Sequence, residues 1–283
     1  MNVADAMTPR SEVVTVDLPG TRDDVLRYLQ EEKFSSVPVV KETDGAERYR
    51  ALVSREDLIE NPDEDQLAIL MEDVPTAAGD DSIQDVASLI LAENARRIPV
   101  VDGDRLEGIV TVTDVVRALA TGDVEDGDHT VADLARRDVN ATHVGTPLIV
   151  AERELSYARV PYAVVLDDDA EMTGILTEVD IIDVARVVEG EEDTGASVAN
   201  QDDEWMWEGI KAVGSRHMPT RNVELPTGPV AEFMTPDPVT VNGRRTVQEV
   251  AQVMIEHDIE QVPLVRGDEL AGIVRDLDLL KAL

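Results

Sequence analysis

Four stretches of the chain place an aspartate three residues after a polar or charged residue, at the end of a short apolar run. They are Ser54 and Asp57 in ALVSREDL, Thr111 and Asp114 in GIVTVTDV, Thr177 and Asp180 in GILTEVDI, and Arg275 and Asp278 in GIVRDLDL. The chemistry this spacing suits is binding. A carboxylate can accept hydrogen bonds from two vicinal hydroxyls, such as those of a ribose. A Ser or Thr hydroxyl at a strand-to-helix junction lies beside unpaired helix amides, where an anion such as phosphate is favoured. The same spacing also suits a helix cap, and both uses stay open. An arginine at position 275 either pairs with phosphate or fills the cleft itself.

The segments that must position these residues recur with them. Upstream of each aspartate lies a second apolar run: VPVV from Val37, IPVV from Ile98, YAVV from Tyr162 and VPLV from Val262. The third run is matched with Ala163 in the proline slot. A Ser or Thr then precedes that slot by 17 residues in all four copies, as Thr21, Ser82, Thr146 and Thr246. The intervening residues have helical periodicity, with Ile83, Val86, Ala87 and Ile90 on one face and Val247, Val250, Ala251 and Met254 on another. Thr21 with Asp24, Ser82 with Asp85 and Thr246 with Glu249 have capping-box spacing. In the third copy Pro147 is expected at the first helical position. Each unit reads as lead-in, helix, strand, strand, helix, giving an α/β (α+β) fold. One unit has too little core to stand alone, so units should pair.

With the lead-ins VADAMTP from Val3 and VAEFMTP from Val230, this pattern resembles the cystathionine β-synthase-type (CBS) repeat family over nearly the whole chain. The repeats are expected at 1–62, 63–124, 125–188 and 227–283, with an inserted linker at 189–226. The resemblance implies two pseudo-two-fold Bateman modules forming a disc, in a layout similar to the gamma subunit of AMP-activated protein kinase. It implies clefts for an adenine nucleotide (AMP, ADP or ATP, with or without Mg) and no required cofactor. The ribose would be held by Asp114 and Asp180 first, then Asp57 and Asp278. Thr111, Thr177, Ser54 and Arg275 would serve phosphate. So would Arg97, which matches a phosphate-holding arginine of the kinase subunit, the alternative being a surface arginine. S-adenosylmethionine is an alternative ligand, and a scaffold with empty clefts an alternative role.

Composition bounds the rest. The 283 residues hold 60 Asp plus Glu against 25 Lys plus Arg, a formal charge of −35. Such a chain repels itself in dilute buffer and is relieved by salt, which points to a high-salt cytoplasm. Nucleic acid is disfavoured, for want of a basic footprint. There is no Cys, which removes disulfides and thiolate nucleophiles, and no run of about 20 apolar residues for a membrane span. Neither a metal-ligand spacing among the four histidines nor a phosphate-loop motif is present. The expectation is a non-catalytic sensor acting on an unknown protein in trans, as one disc or a homodimer of discs. In the insertion, Trp205 to Arg221 gathers Lys211, Arg216, His217 and Arg221. Three uses stay open for it: a packed linker helix, a phosphate contact, or a partner-docking segment.

Overall fold

The computed structural model describes residues 1–31, 36–54, 57–58, 61, 64–127, 129–184, 186–190, 220–267 and 269–283. It divides into two compact units, residues 1–137 with 240–283, and residues 138–239. The fold is mixed α+β, and one sheet-and-helix motif appears four times.

Each motif is built on an antiparallel hairpin. The four hairpins are Ser36–Thr43 with Ala46–Ser54, Arg97–Asp102 with Arg105–Thr111, Tyr162–Leu166 with Met172–Thr177, and Gln261–Arg266 with Glu269–Arg275. Their Val- and Ile-rich strands suit burial on a pleated surface. Val37, Val39, Val100, Val110, Val164, Val262 and Val274 are all fully buried. A short segment runs parallel to the first strand of each hairpin, pairing Val16 with Val39, Ala77 with Val100, Thr142 with Val165 and Val241 with Leu264. Parallel neighbours need a crossover. The crossovers here are the amphipathic helices Arg22–Glu31, Ile83–Glu93, Leu148–Ala158 and Val247–His257.

All four hairpins share one irregularity, a register shift between Val39 and Val40, Val100 and Val101, Val165 and Leu166, and Leu264 and Val265. This mark aligns the repeats independently of residue type, and it corrects the third. Pro38, Pro99 and Pro263 face Leu52, Ile109 and Ile273, and the residue facing Ile175 is Val164. Val164, not Ala163, therefore holds the proline slot. The helix is displaced to match, with Pro147 as its N-cap and not as its first helical residue. The 17-residue interval survives, running from Pro147 to Val164. Pro147 has no side chain with which to cap. Instead the Leu148 amide donates to the Gly228 carbonyl at 2.8 Å, so a neighbouring backbone satisfies the helix end.

That neighbour illustrates a general exchange. The lead-in of the first repeat (Val3–Ala6, then Thr8–Pro9) lies on the second repeat's hairpin, pairing Thr8 with Ile109. The second lead-in returns to the first hairpin through Leu52 and Glu72. The third lead-in, Val131–Leu134 and beyond, pairs Arg136 with Ile273 of the fourth repeat. The fourth pairs Thr235 with Ile175 of the third. Glycines permit this approach. A Cβ on Gly108 would run into the Thr8 carbonyl, and one on Gly272 would lie 2.5 Å from the Arg136 carbonyl oxygen.

In the larger unit one core joins the second and fourth repeats. Val86 and Ile90, Val115 and Leu119, and Val250 and Met254 belong to a single buried cluster. The first repeat has its own cluster around Val25, Leu29, Val39, Val53 and Leu58. In the smaller unit Leu148, Ala151, Leu155, Val165, Leu176 and Val230 form the core. The described ends of the insertion, Arg186–Gly190 and Thr220–Glu224, pair antiparallel. Among the described residues, no helix is long and apolar enough to cross a membrane.

Candidate functional site

Each aspartate of the repeated motif sits where the second hairpin strand turns into a helix. Thr111 is the N-cap of the helix Val112–Thr121, and Asp114 is its third residue. The Asp114 Oδ2 accepts from the Thr111 amide at 2.9 Å and from its hydroxyl at 2.7 Å, while the Asp114 amide donates back to the hydroxyl at 3.3 Å. The third repeat repeats this arrangement. Asp180 Oδ2 accepts from the Thr177 amide at 2.8 Å and hydroxyl at 2.7 Å. In the first, Asp57 Oδ2 accepts from Ser54 at 2.6 and 2.7 Å. Capping is thus realised in all three, and it uses one oxygen of each carboxylate. It also commits the proton of each hydroxyl, so Ser54, Thr111 and Thr177 aim that proton at their own aspartate.

The second oxygens face outward to weaker holds. Asp114 Oδ1 accepts from Arg117 Nη1 at 2.9 Å, from a side chain more than half exposed. Asp180 Oδ1 accepts from the hydroxyl of Thr235 at 3.2 Å. Thr235 belongs to the exchanged lead-in, as do Thr8, Glu72 and Arg136 at equivalent pairings. These lead-in residues are absent from the sequence-derived site. Aligning VADAMT from Val3, VADLAR from Val131 and VAEFMT from Val230 would have found three of them.

Arg97 is the first residue of its strand and faces Thr111, as Ser36 faces Ser54. Arg97 Nη1 donates to Ser36 Oγ at 3.2 Å. This bond brings the Ser54–Asp57 and Thr111–Asp114 junctions onto one guanidinium. Burial pushes Arg97 below the ordinary arginine value, with neighbouring Arg96 adding to the effect and Glu260 opposing it. It still carries its charge at neutral pH. Arg96 is held by Asp276 at 2.5 Å and Glu260 at 3.0 Å. In the third repeat the slot opposite Thr177 holds buried Tyr162, and in the fourth, opposite Arg275, Gln261.

Asp278 differs from the other three. It is fully buried, and its carboxylate is engaged by three cations. Lys281 Nζ reaches Oδ1 at 2.6 Å, Arg136 Nε lies 3.1 and 3.2 Å from the two oxygens, and Arg275 Nε is 3.4 Å from Oδ2. Lys211, Arg216 and His217 lie outside the described residues. Arg221 is in the strand Thr220–Glu224, opposite Glu189. A 330 Å³ apolar pocket lined by Gly145, Pro147, Ile149, Pro226 and Pro229, among others, contains none of the predicted residues. Among the described residues no group of acids and histidines is arranged to hold a metal ion.

This fold and its four junctions define a tandem-repeat protein, and the chain belongs to the CBS-domain family, which it matches over residues 3–64, 67–121, 131–186 and 230–283. It is 26% identical over 280 residues to the uncharacterized protein MJ1404 of Methanocaldococcus jannaschii, covering 99% of this chain and 61% of that one. The chain therefore spans less than two thirds of that relative's length. It is 24% identical over 301 residues to the uncharacterized protein MJ1225 of the same organism, covering 95% of each. The crystal structure of an uncharacterized conserved protein from Pyrococcus horikoshii superposes with a TM-score of 0.69 at 27% identity, covering 99% of both chains.

Proposed function

We propose that this protein is a non-catalytic regulator that binds adenine nucleotides at the Ser/Thr-x-x-Asp junctions of its paired repeats and acts on a separate protein in response. The observation that carries this reading is the bond between Arg97 and Ser36. It sets one half-buried cation between two junctions that each offer a ribose-binding carboxylate. A buried guanidinium with a single serine hydroxyl as its recorded hydrogen-bond partner is suited to an incoming phosphate. Asp57, Asp114 and Asp180 would accept ribose hydroxyls through the oxygen the cap does not use. Arg117 and Thr235 would give way to the ligand, since both are held by one bond at the protein surface.

Calorimetric titration in molar KCl against AMP, ADP, ATP and S-adenosylmethionine tests this, with stoichiometry read per chain. Asp114→Asn and Asp180→Asn are each expected to weaken one binding event by roughly 10- to 100-fold, the value of about 1.5–3 kcal/mol for a charged hydrogen-bond partner. Asparagine keeps an acceptor for the cap, so the helix start is retained. Unchanged affinity and stoichiometry in both variants would refute the assignment. Tighter binding of S-adenosylmethionine than of any nucleotide would replace the ligand while keeping the site.

A further inference from the structure

Four lead-in residues occupy one equivalent position, each beside the hairpin of the paired repeat. Two of them are threonines, Thr8 and Thr235, and a threonine there leaves the aspartate's outer oxygen to a single weak bond, as Thr235 does at Asp180. The third repeat's lead-in supplies Arg136 instead, opposite Ile273. Its guanidinium lies on the Asp278 carboxylate. The change at 136 is matched by a second one within the fourth repeat, where Arg275 stands in place of the Ser or Thr of the other three. Lys281 adds a third cation at 2.6 Å. Both oxygens of Asp278 are thereby engaged by side chains, and none of its surface is exposed.

We infer that the fourth junction is permanently closed by the chain itself, with Arg136 as the plug that takes the place of ligand hydroxyls. This rests on the nucleotide-binding reading above and limits it to three junctions. A ligand at Asp278 would have to displace three cations from a buried carboxylate, against charge-assisted bonds that are about twice as strong as neutral ones. The plug is built from both partners of the exchange, Arg136 from the third lead-in and Arg275 and Lys281 from the fourth repeat. It therefore ties the lead-in to its host by charge, where the other lead-ins are tied by backbone pairing and packing. Burial alone would raise the Asp278 carboxyl, but the bonds from Lys281 and Arg136 outweigh it and hold the group below the usual aspartate range. A carboxylate so depressed contributes stability that is present above its unfolded pKa and lost as pH falls through the folded one.

The test compares AMP stoichiometry in molar KCl for the full chain, for Asp278→Asn and for the double variant Arg136→Thr with Arg275→Thr. Asp278→Asn should leave stoichiometry unchanged. The double variant should gain one AMP per chain, and adding Asp278→Asn to it should remove that AMP again. Loss of one AMP in Asp278→Asn alone would overturn the plug, as would a folded double variant that gains none. Carboxyl carbon NMR of Asp278 decides the matter without any ligand. Its titration should lie below the ordinary aspartate range in the parent and move up in Arg136→Thr. An ordinary titration in the parent overturns the plug even if no nucleotide binds, whereas absence of AMP binding together with a depressed titration removes only the nucleotide reading.

Discussion

Asp114 divides its two carboxylate oxygens between two jobs. One oxygen closes the capping box with Thr111, and the other meets only Arg117 at the surface. In the sequence, cap and ribose ligand are competing explanations of the same four spacings. In three dimensions they use different atoms and coexist. Residue types cannot show this, because it depends on which side of the carboxylate the strand end occupies. Arg97 was legible as a cation before a Pro-Val strand, but its bond to Ser36 depends on how two repeats meet and has no local signature. Arg97→Ala should weaken AMP binding by about 10-fold or more while changing adenosine binding far less, since the lost contact is a charge-assisted bond to phosphate. Titrations with both ligands decide it, and an equal loss for the two would remove Arg97 from the phosphate site.

The hairpins and their helices were readable as elements because apolar runs, caps and periodicity agree in three repeats. The third was read one residue out of step. Thr146 is a better capping residue than Pro147 by side-chain chemistry, so the helix start was placed there. The actual start depends on the Gly228 carbonyl, about 80 residues away in sequence, which receives the Leu148 amide. Lead-in exchange was also invisible locally, although the glycine of the G-I-V-T run hinted at it. That glycine leaves room for a neighbouring strand. Gly108→Ala should cost about 1–3 kcal/mol of unfolding free energy, as overpacking against the Thr8 carbonyl and the Met7 side chain. Gly79→Ala, whose new methyl would rest 3.5 Å from the Ala4 methyl, should be nearly neutral. Denaturant unfolding in molar KCl compares the two, and equal stabilities would show that the strand does not need the glycine.

At the scale of the whole chain, a charge of −35 acts on every element at once. Unscreened repulsion among acids opposes compaction, and salt that shortens the Debye length to about 3 Å near 1 M relieves it. The melting temperature should therefore climb steeply as KCl rises from about 0.1 to about 3 M. A flat profile would remove the high-salt origin and leave the repeats untouched. The lead-in exchange has its own effect at this scale, on how such a chain can be inherited. A gene duplication that copied one repeat would deliver a lead-in with no hairpin to lie on, beside a hairpin whose edge stood open to pairing with a stranger. Copying two neighbours together delivers both halves of the exchange. The chain can thus lengthen or shorten only in even steps, and loss of a single repeat strands its neighbour's edge along with its own core.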